Sequence, residues 1–183
     1  MSYINTINNF LSKEECELII QQNTIVELNL GKVSTKTGPT IDLKKRNAKV
    51  KFIDLSDVTS RLIKYLNDNE IIKGHILAQT IDKKFQFTKY DVGGHYDWHT
   101  DSSPAGEAHR VCSIVIQLND TYTGGNLLYM DTDDNVIEFK NGIGNLFIFP
   151  SNTKHKVTPV LTGTRYSLVS WLDLKTKNIK TII

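Results

Sequence analysis

Cysteine is scarce in this sequence, with only two among 183 residues. A disulfide scaffold or a cysteine-rich zinc site requires more cysteines at closer spacing, so both are excluded. Cys16 falls in a segment with helical features and Cys112 in a strand-like one. We therefore expect both to be small buried residues.

Long apolar runs and strong net charge are also absent. No segment is long and apolar enough to predict a membrane-spanning helix. The first residues have neither the basic nor the apolar part of a secretory signal, so we expect a cytoplasmic protein without a membrane partner. The formal net charge of +2 is too small to predict nucleic-acid binding. The densest basic patch, Lys44 to Arg46 with Lys49 and Lys51, is most simply explained as a solvated loop and strand edge.

The length and the 39% apolar fraction predict one domain, residues 1–183, with a substantial core. Its first part, residues 1–82, has helical patterns. Ser12 and Glu15 form a capping box that predicts a helix to about residue 22, and Ser56 predicts the cap of a second helix to about residue 67. Short strands are predicted at 3–10, 25–28 and 50–53, and the polar segment 31–39 is predicted to be a mobile loop.

From residue 83 to residue 173 the pattern changes to short strands separated by turn residues. The predicted strands are 84–90, 95–101, 110–118, 126–130, 135–139, 145–149, 154–160 and 164–173. Regular short strands of this kind predict a sandwich or a jelly-roll barrel. The two helices are sufficient to cover one sheet of such a barrel.

The segment from Tyr90 to Asp101 contains the most informative chemistry. Side chains two apart on a strand point to the same face, so His99 and Asp101 can reach one metal ion together. Two histidines and one carboxylate form the facial triad of non-haem Fe(II) oxygenases, which leaves positions open for co-substrate and O2. His155 is the candidate for the third ligand. His95 and Asp97 form an alternative pair with the same spacing, and Gly93–Gly94 favours His99 and Asp101 only weakly.

A longer ordered set of residues resembles the 2-oxoglutarate- and Fe(II)-dependent oxygenases, specifically the prolyl 4-hydroxylase-like (PKHD-type) group. The resemblance covers about the C-terminal half of the chain. Its residues are Tyr90, Gly93, Tyr96, His99, Asp101, Arg110, Leu118, Asn119, Gly124 to Leu127, Gly144 to Pro150, His155, Val157, Pro159, Gly163, Arg165 and Trp171. The family pattern aligns with Tyr90, Gly93 and Tyr96 only when His99 is the ligand. The resemblance implies a mainly β fold with flanking helices, the double-stranded β-helix (jelly-roll) core.

The resemblance also implies roles for individual residues. Arg165 would hold the distal carboxylate of 2-oxoglutarate, and Ser167 could add a hydroxyl to it. Tyr90 would hydrogen-bond the co-substrate, and Trp171 would wall the pocket. Arg110 matches an arginine that contacts peptide substrate in some prolyl hydroxylases, although a strand-edge arginine is an equal alternative.

Two departures affect the expected pocket. Gln117, which we place beside the co-substrate, stands where many relatives have Tyr. Leu127 stands where prolyl 4-hydroxylases often have Thr. The basic residue is Arg165, whereas collagen-type enzymes have Lys, so the likeness is greater to bacterial-style members.

The implied activity is hydroxylation of a C–H bond with O2 and 2-oxoglutarate, which releases succinate and CO2, with ascorbate as a candidate reductant. A peptidyl prolyl residue is the leading expected substrate, and a free amino acid or other small molecule is the alternative. A non-catalytic, cupin-like metal-binding module is a different class, which Arg165 and Tyr90 disfavour. A nucleic-acid partner is not expected, because an arginine-rich signature after His155 and a basic, aromatic-lined groove are missing. The sequence leaves the oligomeric state open.

Overall fold

A computed structural model describes residues 4–35, 37–69, 84–102 and 110–173 of the chain. Two helices, α1 (Lys13–Thr24) and α2 (Ser56–Asp68), lie in the first part of the sequence. The early strands are β1 (Asn5–Ile7), β2 (Asn29–Leu30), β3 (Val33–Thr35), β4 (Gly38–Thr40), β5 (Arg46–Asn47) and β6 (Lys49–Asp54). The later strands are β7 (Lys84–Tyr90), β8 (His95–His99), β9 (Arg110–Gln117), β10 (Tyr122–Gly124), β11 (Leu127–Met130), β12 (Val136–Glu138), β13 (Leu146–Pro150), β14 (His155–Val157), β15 (Val160–Gly163) and β16 (Arg165–Asp173).

Two sheets form the body of the described structure. The larger has the order β1-β13-β9-β16-β7-β6-β2, and the smaller has the order β12-β11-β14-β8-β5. Apart from β6–β7 and β11–β12, strands that are adjacent in these two sheets are not consecutive in sequence, because the chain alternates between the sheets as it does in a jelly roll. The expected mainly β fold with a double-stranded β-helix core is therefore confirmed.

Side chains from both sheets meet in one apolar layer between them. Val115 and Phe149 contribute from the larger sheet, and Leu127 and Val157 from the smaller one. Successive strand residues point to opposite faces, so the other face of the larger sheet carries a second apolar set. That set includes Phe87 and Ile114, both fully buried.

Both helices cover this second face. Cys16, Ile19, Leu62 and Leu66 pack into the same cluster as the sheet residues. The capping box at the start of α1 is confirmed: Ser12 Oγ accepts from the backbone N–H of Glu15, and the Glu15 carboxylate accepts from the N–H of Ser12.

The predicted cap of α2 is wrong. Leu55 holds the N-cap position without a side-chain hydrogen bond, and Ser56 is the first helical residue. The Ser56 hydroxyl and N–H both donate to Asp54 Oδ1 instead. The carboxylate before the helix therefore fixes its start.

Three further expectations for the first part of the chain need correction. The strand predicted at 25–28 is not observed there, and the nearest strand is β2, which begins at Asn29. The segment 31–39, expected to be a loop, contains the antiparallel hairpin of β3 and β4. Arg46, expected in a solvated patch, is 8% exposed, whereas Lys44 and Lys45 are exposed. The turn predicted at 104–106 and most of the loop 102–109 lie outside the described residues.

Cys16 and Cys112 are buried free cysteines in α1 and β9, as expected. Within the described part of the chain, neither helix has the length and hydrophobicity needed to cross a membrane.

Candidate active site

Two histidines face each other across neighbouring strands of the smaller sheet. His99 closes β8 and His155 opens β14, and the two residues are direct partners in the antiparallel register. Asp101 lies two residues beyond His99, where its N–H donates to the carbonyl of Ser151. The strand ladder thus brings together residues separated by more than fifty positions in sequence.

The functional atoms of these three side chains converge on one point. His99 Nε2 lies 3.7 Å from Asp101 Oδ1, and His155 Nε2 lies 3.6 Å from Asp101 Oδ2. One potential ligand atom from each residue lies within 4.8 Å of the others. Two nitrogens and a carboxylate oxygen at this spacing can surround one metal ion.

The second nitrogen of each imidazole faces a backbone carbonyl. His99 Nδ1 lies 2.8 Å from the oxygen of Asp97, and His155 Nδ1 lies 2.9 Å from that of Thr153. Each contact favours a proton on Nδ1, which leaves the lone pair of Nε2 directed at the common point. In both cases the carbonyl belongs to the residue two positions earlier in the chain, so the local backbone orients each ring.

Two serines that no sequence motif distinguishes support Asp101. Ser113 Oγ on β9 donates to Asp101 Oδ2 at 2.6 Å. Ser151 Oγ lies 3.0 Å from Ser113 Oγ and extends the network. Both serines are buried. No local sequence pattern distinguishes these serines from others in strands and turns. Their role becomes visible only when the folded structure places them beside Asp101.

Burial and neighbouring charges set the protonation of Asp101 and His99. Burial would raise the pKa of Asp101, but His155 and His99, with the Ser113 hydrogen bond, hold it below the usual value. Burial, reinforced by His155, lowers the pKa of His99 to about 4. The cluster therefore contains an ionised carboxylate and a neutral imidazole at pH 7, which are the forms that bind metals.

Tyr96 lies flat on the His99 imidazole. The ring centroids are 3.5 Å apart and the planes differ by 13°. Tyr96 pairs with Arg46 of β5 in the register, and the Arg46 guanidinium lies 4.6 Å from the Tyr96 ring centroid. The stack restricts rotation of the imidazole in addition to its Nδ1 contact.

The alternative pair is placed elsewhere. His95 Nδ1 lies 3.0 Å from the oxygen of Gly93, and its Nε2 lies 3.0 Å from that of Lys44. Both nitrogens are thus engaged with backbone carbonyls, and Asp97 is exposed. Neither residue belongs to the cluster of His99, Asp101 and His155.

Arg165 lies in the interior, 1% exposed, as the largest of the fully buried side chains. It pairs with Tyr90 across β16 and β7, and its guanidinium lies 5.3 Å from the Tyr90 ring centroid. Nη1 donates to Ser167 Oγ at 3.1 Å, while buried Nε and Nη2 have no partner among the described residues. An unpaired buried charge is costly, so these two donors fit an anionic ligand.

Gln117 and Tyr122 are near this arginine. Gln117 pairs with Ser167 in the register, and its Nε2 donates to the carbonyls of Asn119 and Tyr166. Only its amide oxygen remains unpaired, and an oxygen cannot donate to a carboxylate. The buried Tyr122 hydroxyl has no described partner; burial raises the pKa of Tyr122, and the charge of Arg165 opposes that shift. The sequence analysis did not select Tyr122.

Gly125 allows the side chains of Tyr122 and Arg165 to pack closely against its backbone. Gly125 has φ +60°, and a Cβ there would meet Arg165 Cδ and Tyr122 Cε2 at 3.1 Å each. Glycine at position 125, directly after β10, is thus required both by its left-handed backbone and by the packing around the arginine.

One cavity of about 940 Å³ connects the histidine cluster with the arginine. Its walls include Tyr90, Leu127, Val169 and Trp171. Arg110, half-buried, lies 3.8 Å above the Trp171 ring at the same cavity. All the residues selected from the sequence except Gln117 line it.

A jelly roll with two histidines and a carboxylate beside a buried arginine is the framework of a mononuclear metal enzyme that takes an anionic co-substrate. The family described as the 2OG-Fe(II) oxygenase superfamily matches residues 85–173. A PKHD-type hydroxylase of Prochlorococcus marinus (strain MIT 9312) is 30% identical over 178 residues, which cover 94% of this chain and 79% of that protein. Another, from Synechococcus sp. (strain CC9605), is 30% identical over 110 residues, 59% of this chain but only about half (49%) of the relative.

Solved structures share the fold. A Pseudomonas putida prolyl-4-hydroxylase superposes with a TM-score of 0.73 at 19% identity, over 96% of this chain and 94% of that chain. A Trichoplax adhaerens prolyl hydroxylase, solved with a peptide fragment of the hypoxia inducible factor oxygen degradation domain, superposes with a TM-score of 0.67 at 22% identity, over 93% and 83% of the two chains.

The chain belongs to the 2-oxoglutarate- and Fe(II)-dependent oxygenase superfamily, in its PKHD-type hydroxylase group. Members of this superfamily use Fe(II), 2-oxoglutarate and O2. The described residues fit these groups: the donor set of His99, Asp101 and His155 suits Fe(II), and the unpaired donors of Arg165 suit a carboxylate.

Proposed function

We propose that this protein hydroxylates a C–H bond of a peptidyl prolyl residue. The observation that carries the proposal is the position of the buried Arg165, with two unpaired donors, in the same cavity as the cluster of His99, Asp101 and His155. A bare metal-binding module needs no such arginine. The prolyl hydroxylase solved with a peptide supports a peptide as substrate class.

In this proposal His99 Nε2, His155 Nε2 and an Asp101 carboxylate oxygen hold Fe(II). Arg165 and Ser167 hold the distal carboxylate of 2-oxoglutarate, which compensates the buried guanidinium. Tyr90, Leu127, Val169 and Trp171 wall the space between, and their apolar surfaces exclude water.

Fe(II) held by these residues would supply, with 2-oxoglutarate and O2, the oxidising chemistry: one oxygen atom of O2 would be inserted into the substrate C–H bond and the other would enter succinate, with release of CO2. The protein positions the reactants and keeps the site dry. Ser113 keeps one oxygen of Asp101 engaged, and the Nδ1 contacts keep both imidazoles in the metal-binding tautomer.

Two measurements test the proposal in sequence. The first is release of succinate from 2-oxoglutarate by the purified protein with Fe(II) and O2, compared with the His155→Ala variant. Succinate from the wild type and none from the variant supports the oxygenase chemistry, and no succinate from either rejects it.

The second measurement identifies the substrate by mass spectrometry. Proline-rich peptides, free proline and other free amino acids, and methylated oligonucleotides are incubated with enzyme, Fe(II), 2-oxoglutarate and ascorbate. A gain of one oxygen on peptidyl proline is the expected result. Oxidation confined to free amino acids, or demethylation of the oligonucleotide, contradicts the prolyl assignment while leaving the oxygenase assignment intact.

A further inference from the structure

Arg46 is a second buried guanidinium at the cavity, and the proposed function does not use it. It is 8% exposed and lines the cavity beside Tyr96 and His99. Nη1 donates to the carbonyl of Lys32 at 3.0 Å, and buried Nε has no described partner. A guanidinium has five N–H donors, so most of this capacity is unused by the described residues.

The position of this guanidinium is well defined. Its Cζ lies 4.6 Å from the Tyr96 ring centroid, within the range of a cation–π contact. The backbone of Gly31 packs closely against it: a Cβ there would lie 2.6 Å from Arg46 Nε and 3.0 Å from Cζ. Ring, glycine and carbonyl together hold the charge in place before any ligand arrives.

The charge balance of the cavity favours an anion. Among the described residues that line it, Asp101 is the one carboxylate, and Arg46, Arg110 and Arg165 are the arginines. None of the three arginines forms an ion pair with a described carboxylate. Asp101 is already engaged by His99, His155 and Ser113. A buried cation without a counter-charge is costly, and a carboxylate removes that cost.

Arg46 and Arg165 line the cavity from different sheets. Arg165 is on β16 beside Tyr90, whereas Arg46 is on β5 and is connected to His99 through the Tyr96 ring. The proposed function assigns the co-substrate to Arg165. An anion at Arg46 therefore belongs to the second reactant.

We infer that Arg46 binds a carboxylate of the acceptor substrate, so that the enzyme prefers acceptors with an acidic group near the oxidised carbon. This inference rests on the proposed function and names the substrate chemistry of the same site. The carboxylate comes either from an Asp or Glu side chain of a peptide or from a free amino acid. A charge-assisted hydrogen bond is the physical basis of the preference.

The test measures acceptor binding to the holoenzyme with Fe(II) and 2-oxoglutarate without O2, so that no turnover is required. Fluorescence anisotropy compares proline-centred peptides that carry Asp, Asn or Lys beside the proline. Competition by free proline and by proline amide distinguishes the second source of the carboxylate. We expect the wild type to bind the Asp peptide about tenfold more tightly than the Asn peptide. The same preference for free proline over proline amide, without one for the Asp peptide, would assign the carboxylate to a free amino acid and contradict the peptidyl substrate.

Two variants and one control assign this preference to Arg46. Arg46→Gln removes the charge, and Gly31→Ala keeps the charge but displaces the guanidinium. Both are expected to reduce the ratio of acidic to neutral affinity towards one. Arg61→Gln removes an exposed arginine paired with Glu15 on the helices and should leave the ratio unchanged.

The ratio also separates ligand binding from a positioning role. If Arg46 only supported Tyr96 and His99, Arg46→Gln would change the affinity for acidic and neutral acceptors equally and leave their ratio intact. Equal wild-type affinities, or a ratio that persists in Arg46→Gln, would overturn the inference while the proposed function stands. Failure of the wild type to form succinate with O2 would overturn both.

Discussion

The Ser113 hydroxyl donates a 2.6 Å hydrogen bond to Oδ2 of Asp101, from the opposite sheet to the one that carries His99 and His155. This contact links the two sheets at the candidate metal site. Ser113 thus orients the Asp101 carboxylate, although Ser113 is not one of the three candidate ligands. Hydrogen bonds that orient a metal ligand in this way commonly contribute to metal affinity.

Ser113→Ala is expected to weaken Fe(II) binding by about 10–100-fold, because Asp101 loses its orienting donor. Ser170→Ala is the matched control, since Ser170 is a buried serine on β16 whose hydroxyl has no described partner. Anaerobic titration with Fe(II) measures both. Equal affinities in the two variants would contradict an orienting role for Ser113.

The tandem histidine pairs provide a direct test of the ligand assignment. His99→Ala, Asp101→Ala and His155→Ala should each abolish stoichiometric Fe(II) binding and iron-dependent turnover. His95→Ala should retain the metal, because the His95 nitrogens face backbone carbonyls. Iron content per chain after anaerobic loading decides between the pairs. Loss of iron in the His95 variant together with retention in the His99 variant would reverse the assignment.

Arg165→Ala should sharply raise the 2-oxoglutarate concentration that the enzyme requires. Loss of one partner of a buried charge pair costs about 2–5 kcal/mol, which corresponds to about thirty-fold or more in Kd. Arg165→Lys should be milder but not neutral, because an ammonium cannot reproduce a planar fork. Calorimetric titration with 2-oxoglutarate measures the change, with Arg61→Ala as the exposed control. Unchanged affinity in Arg165→Ala would remove this residue from the co-substrate site.

Gly144 provides a test of the packing that joins the N-terminal segment to the barrel. Its φ is +73°, its N–H donates to Gln117, and an added Cβ would overlap the carbonyl oxygen of Leu11. Gly144→Ala should therefore lower the free energy of unfolding by about 2–6 kcal/mol, as strain and overlap add. Chemical denaturation measures the loss.

Gly93 allows the cost of backbone strain to be measured without the cost of steric overlap. It also has positive φ, +79°, but a Cβ there would meet no atom within 4 Å. Gly93→Ala should lower the free energy of unfolding by only the cost of the left-handed backbone, about 1–2 kcal/mol. Similar losses at the two positions would show that the overlap at Leu11 is relieved by small movements.

Local sequence signals located most strands of the β-rich half of the chain, although they missed β10 and merged β14 with the start of β15. The predicted strand 84–90 has the observed bounds of β7, because alternation and flanking turns are local properties. The capping box at Ser12 was also predicted correctly, because its two partners, Ser12 and Glu15, are only three residues apart. The start of α2 was predicted wrongly for a local reason as well. Asp54, two residues before Ser56, accepts hydrogen bonds from both the N–H and the hydroxyl of Ser56, so Ser56 does not act as the cap.

The candidate site divides in the same way. Spacing and resemblance selected His99, Asp101, His155 and Arg165, because catalytic side chains are restricted in type and order. The sequence alone determined the superfamily and the jelly-roll fold. It could not distinguish buried Arg46 from its exposed neighbours Lys44 and Lys45, because burial depends on which distant strand covers a residue.

Only the tertiary structure decided how the supporting residues meet. Ser113 and Ser151 carry no distinguishing motif, and their contact with Asp101 exists because β9 and the turn after β13 converge there. Tyr96 stacks on His99 because the register between β8 and β14 shifts between these two residues, which brings both rings to one face. The physical reason is the range of the interactions: strand pattern and caps depend on neighbours along the chain, whereas orientation of a ligand depends on groups that only folding brings within hydrogen-bonding distance.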